Sequence, residues 1–253
     1  MKRHCITIAT LILLYSAPTM AQEAPTIPDM NGTWAQLQVT TTVSELPVVG
    51  DVIGTTTSLL LLSVSQDDDK LSIKETICNI DITSTAKRVR TILPSAFQRA
   101  ASGTKRKATV TIKDGTLHYK QHPKTVTLGA KLSKSNRTLP EDEDDPRVVD
   151  ADKDGKPGLT VKIEGIIDGE IYIVQSGWNK LTGTMDNQGI ISGKMAWKST
   201  QKVVDASSIF LKSNPSSKPH GGTTKNFFKM KQVSPSTTCS DLKKNYTSWL
   251  GAK

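Results

Sequence analysis

Asp150, Asp152 and Asp154 place a carboxylate at every second position, and Gly155 closes the run. A tight turn of this pattern aims alternate side chains inward, and a hard dication such as calcium takes roughly six to eight oxygens at about 2.3–2.6 Å. Lys156 offers a backbone carbonyl at the next alternate position. Asp150, Asp152, Asp154 and Lys156 are therefore the candidate metal ligands, with calcium as the expected ion. Further oxygens would come from Glu141 to Asp145, Glu164 or Asp168. Without a cation, three like charges in one turn repel.

Other chemistry-bearing residues are sparse. His118 and His122 lie four apart, but Pro123 follows and the stretch is strand-like, so they do not form a helical ligand pair. No nucleophile elbow, His-Glu-x-x-His, phosphate loop or dinucleotide fingerprint is present. Binding is expected rather than catalysis, and no catalytic residue is assigned. Cys5 falls in the leader described next, which leaves Cys78 and Cys239 as a pair for one disulfide.

Lys2 and Arg3, the apolar run Ile6–Tyr15 and the small residues before Ala21 read as a secretory leader spanning 1–21, cleaved near Ala21. The mature chain is expected in a secreted or periplasmic setting, at the cell envelope, with no membrane-spanning segment. Net charge is +9 over the whole chain, but it is unevenly placed. Residues 22–85 hold nine acids and two bases, whereas 86–137 hold thirteen bases and one acid. Residues 138–170 hold eleven acids and four bases, and 171–253 hold three acids and twelve bases. The basic stretch from Lys87 to Arg137 would draw anionic polymers or lipid headgroups. Nucleic acid is not expected, because few aromatic side chains accompany the bases and the chain carries an export signal.

The elements that must position these groups read mainly as strands. Leu71, Ile73, Glu75 and Ile77 alternate with Ser72, Lys74 and Thr76, and similar period-two patterns run over 32–42 and 55–65. Asp114-Gly115, Asp168-Gly169 and Asp186–Gly189 mark hairpin turns. Short helices are expected over 94–101 and, capped by Ser236 or Thr238, near 237–250. Residues 47–57, 132–158 and 213–224 read as long loops, the middle one acidic and carrying the metal motif. The fold class is all-β, an antiparallel barrel or a sandwich, built as one domain from residue 22 onward with a short C-terminal helix over 236–250.

Two resemblances sharpen this reading. Asp150-x-Asp152-x-Asp154-Gly155 resembles the first half of an EF-hand loop, and more broadly the dockerin-like and thrombospondin-like calcium loops of secreted proteins. It departs from the EF-hand at Val161, where that family carries a bidentate Glu. Gly32-Thr33-Trp34, opening the first strand, resembles the Gly-x-Trp of lipocalins, which implies a barrel with Trp34 at its closed base. Such a barrel would hold a small apolar ligand or lipid against Trp34, Leu60 and Leu62. The competing expectation is an envelope adhesion or interaction module that binds anionic glycans or lipids through a basic face.

Overall fold

The computed structural model describes residues 26–46, 50–166, 168–214, 217–221 and 225–251. In chain order the strands are β1 (Gly32–Leu46), β2 (Gly50–Asp67), β3 (Lys70–Ser84), β4 (Val89–Ile92), β5 (Lys105–Lys113) and β6 (Thr116–Leu128). They continue with β7 (Leu159–Gly165), β8 (Gly169–Met185), β9 (Ile190–Ala206), β10 (Ser217–Pro219) and β11 (Phe227–Val233). Helix α1 (Ser95–Ala101) follows β4, and α2 (Cys239–Leu250) ends the described chain. The leader expected over 1–21 lies outside the described residues.

Eight strands close into a ring in the order β6-β5-β3-β2-β1-β11-β9-β8 and back to β6, with every pairing antiparallel. This is not a regular barrel, because β8 serves three partners. Its first residues pair with β7, its later residues pair with β6, and β9 runs along its other edge throughout. Strand β4 then extends the sheet beyond β7.

Local chemistry fixes the turns. Asp114 (φ 50°) and Gly115 (φ 73°) both take the left-handed backbone that a two-residue hairpin needs. Asp186 accepts hydrogen bonds from the amides of Gln188 and Ile190 and shapes the β8–β9 turn. The Asp168-Gly169 turn differs from expectation. Strand β7 stops at Gly165, whose amide donates to Asp168 Oδ1, and Gly169 already belongs to β8. The loop expected over 47–57 is mostly strand, since Thr40, Thr41 and Thr42 pair with Thr56, Thr55 and Gly54 and carry the β1–β2 ladder to Leu46 and Gly50.

All eight ring strands send side chains inward. Trp34, Leu62, Val64, Leu71, Ile73, Val110, Leu117, Tyr119, Leu181, Ile191, Phe228 and Met230 form one buried cluster. Gly183 faces Gly193 across β8 and β9 because a Cβ at Gly183 would stand 2.3 Å from Ser192 O and 3.0 Å from Phe228. Outside the ring, α2 lies over β1, β2 and β3, with Leu242 and Leu250 packed on Ala35, Leu37 and Leu59. Thr238 and Asp241 form a reciprocal cap at its start, and Gly251 ends it at φ 55°. Cys78 and Cys239 are joined by a disulfide with Cα atoms 5.0 Å apart, which ties the first turn of α2 to β3.

Candidate metal centre and its surroundings

Strands β6 and β7 occupy successive stretches of the same edge of β8, and residues 129–158 form an excursion between them. Its neck is closed by two glycines. Gly129 (φ 74°) and Gly158 (φ 77°) meet beneath Ile173 O, where a Cβ on Gly158 would come within 2.3 Å. The Val149 amide donates to Gly129 O and the Gly158 amide to Val149 O, which stitches entry to exit.

The three aspartates converge within this excursion. One oxygen from each of Asp150, Asp152 and Asp154 lies within 4.8 Å of the others, a cluster that could hold a metal ion. Asp150 shapes the turn: its Oδ1 accepts from the amides of Lys153 and Asp154 and its Oδ2 from that of Gly155. Lys153 (φ 62°) and Gly155 (φ 83°) supply the left-handed residues that fold the loop back. Asp154 accepts from the Lys156 amide and the Thr160 hydroxyl. The Lys156 ammonium lies 5.7 Å from the Tyr172 ring centroid.

Asp152 is the informative member. It is 9 % exposed, its Oδ2 accepts from the Thr160 amide, and its Oδ1 is buried with no hydrogen-bond partner. Burial raises its pKa, the Thr160 amide opposes this, and the charges of Asp154 and Asp150 add to the rise. A buried carboxylate oxygen left bare is costly, and a cation removes that cost. The donor set consists of hard oxygens, which suits calcium or magnesium better than a soft-ligand metal.

Four of the other acids considered as ligands have partners elsewhere. Glu141 binds Lys202 at 2.5 Å, Asp145 binds Arg147 at 2.6 Å, Glu164 faces Arg90 at 3.4 Å, and Asp168 accepts from Gly165. Among the described residues, the aspartate trio is the one group of acids, histidines or cysteines close enough to share a metal. His118 and His122 do not join such a group.

Trp34, Leu60 and Leu62 are 1 %, 5 % and 1 % exposed, and all three belong to the packed ring interior. Trp34 Nε1 donates to Met30 O, so even its polar atom is satisfied. The basic stretch is less uniform than its composition suggests. Lys105 and Lys107 point outward, but Arg106 points inward, where its Nε donates to Glu75 Oε2 at 3.0 Å and its Nη1 to Lys124 O. Glu75 Oε1 has no partner, and burial raises the Glu75 pKa against the opposing charge of Arg106. The sequence reading does not single out this interior pair. Its signal was the alternation that put Glu75 in phase with Leu71, Ile73 and Ile77, and Arg106 in phase with Ala108 and Val110.

No family of known proteins matches the chain, and no curated protein is significantly similar to it. Among the described residues, no helix is long and apolar enough to cross a membrane.

Proposed function

We propose that the chain is an exported binding module, braced by calcium, that takes anionic glycans or lipids on its outer surface. The observation that carries this reading is the filled ring. All eight strands contribute side chains to its centre, so a ligand has to be met from outside. An apolar ligand in the interior would require Trp34, Leu60 and Leu62 to vacate space that they now fill. Lys105, Lys107, Lys120 and Lys124 stand exposed on β5 and β6 and supply a basic outer face. The Cys78–Cys239 bridge is consistent with an oxidising compartment outside the cytoplasm.

Calcium takes the role of a clamp. Asp150, Asp152, Asp154 and the Lys156 carbonyl hold it, the bare Asp152 oxygen gains a partner, and the excursion is fixed against β8. A ligand that binds only the folded state stabilises it by about 2.7 kcal/mol at a hundredfold excess over Kd. Thermal melts in calcium should therefore lie several degrees above melts in chelator. Superimposable curves would remove the clamp. Retention on an anionic polymer should fall steeply between low and high salt, and retention indifferent to salt would remove the anionic partner.

A further inference from the structure

On the outer face of β6, β8 and β9, beside the excursion, lies a cleft of about 300 Å³ lined by Trp178, Arg137, Lys198, Lys202, Thr125 and Thr200 among others. We propose that this cleft is a saccharide subsite, taking a sugar ring that bears a sulfate, phosphate or carboxylate group. The proposal rests on the outer-surface reading above and adds to the lysines of β5 and β6 one defined subsite and one ligand class.

The register builds the floor. Trp178 on β8 lies opposite Thr125 on β6 and Lys198 on β9, and Thr200 is one outward position further along, opposite Ser176. A tryptophan on this row is 37 % exposed although it is one of the largest apolar side chains available to the core. Its ring offers a flat apolar platform with a polar N–H edge, and the flanking hydroxyls can exchange hydrogen bonds with sugar hydroxyls.

The wall comes from the excursion. Leu139 is buried with Tyr172, Val174 and Val204, which pins the arm carrying Arg137 and Thr138 against the sheet. Arg147, gripped by both oxygens of Asp145, donates through Nη1 to Thr138 O at 2.8 Å and holds the arm from behind. Lys202 is engaged by Glu141, whereas Arg137 and Lys198 make no ion pair among the described residues. Two cations without partners beside an open indole suit an anionic substituent on a stacked ring. Arg137 can meet such a group with two parallel N–H donors. A lipid chain would need a longer apolar trough than one tryptophan provides. Because the wall and the aspartate trio belong to one excursion, chelation should loosen the cleft as well.

The test is equilibrium binding of dextran sulfate, neutral dextran and phosphatidylglycerol vesicles to the full chain in calcium at low salt. Dextran sulfate should bind best. Trp178→Ala and the double variant Arg137→Ala/Lys198→Ala should each weaken it by about tenfold, the double variant also flattening the salt dependence. Trp178→Phe, which keeps a ring, should lose less than Trp178→Ala, and Lys113→Glu on the distant β5–β6 turn should leave binding unchanged. Unaltered affinity in both Trp178→Ala and the double variant would overturn the cleft while leaving an anion-binding surface elsewhere. Preference for vesicles over dextran sulfate would overturn the glycan class. No binding of either by the unmutated chain would end this proposal and the broader one together.

Discussion

Asp152 concentrates the argument for a metal in one atom. Its Oδ2 is spent on Thr160, and its Oδ1 is buried and bare. Asp152→Asn keeps an oxygen for the Thr160 amide but removes a charge, so it isolates cation binding from loop geometry. In calcium it should lower Tm by several degrees, at roughly 2–4 °C per kcal/mol for a chain of this size, and in chelator the two proteins should melt closely together. Glu75 makes a different prediction. Its folded pKa is raised by burial, so its contribution to stability is fully present below the ordinary glutamate pKa and is lost as pH rises through the folded value. Glu75→Gln should therefore flatten the fall in Tm between the ordinary glutamate pKa and the raised folded value. A variant whose Tm–pH profile stays parallel to that of the unmutated protein would show that Glu75 keeps an ordinary pKa.

At the level of elements, the neck glycine of the excursion and the disulfide of α2 are the two places where a substitution reports on how an element is held. Gly158→Ala places a methyl group within 2.3 Å of Ile173 O at a left-handed residue, so it should destabilise by about 1–3 kcal/mol and weaken calcium binding together. Denaturant melts and calcium titration of the same variant would check both effects. The disulfide closes a sequence separation of 161 residues, for which the chain-entropy model gives about 5 kcal/mol. The double substitution Cys78→Ala/Cys239→Ala should cost a few kcal/mol in urea melts. It should also raise amide exchange in α2 before exchange in the ring strands, since the staple holds the helix and not the strand ladders.

For the molecule as a whole, what was legible in the sequence was local. The alternating strands, the Asp114-Gly115 turn, the Thr238 cap and the aspartate spacing each depend on neighbours within a few residues. Closure of the ring depends on β11 joining β1 to β9 across nearly the length of the chain, and no short pattern encodes that pairing. The strand over 50–57, where a loop is expected, escapes for a related reason: Pro47 and Gly50 signal irregular chain, while the cross-strand threonines that extend the ladder lie in separate segments. A charge block places Arg106 with the basic surface because it ignores which face of a strand a residue occupies. The cleft was hidden most completely, since Arg137, Trp178 and Lys198 meet only after the excursion folds back on β8.

The closed neck between Gly129 and Gly158 makes residues 130–157 an insert whose two ends meet. Strands β6 and β7 run end to end on one edge of β8, with Leu128 opposite Gln175 and Leu159 opposite Ile173, so joining Gly129 directly to Gly158 would carry the ladder on. A trimmed chain of this kind would shed both the cation clamp and one wall of the cleft, and it would bare Tyr172, Val174 and Val204, which the insert now covers. The same junction would accept a foreign segment as a graft, provided that the graft again covers Tyr172 and Val174 on β8.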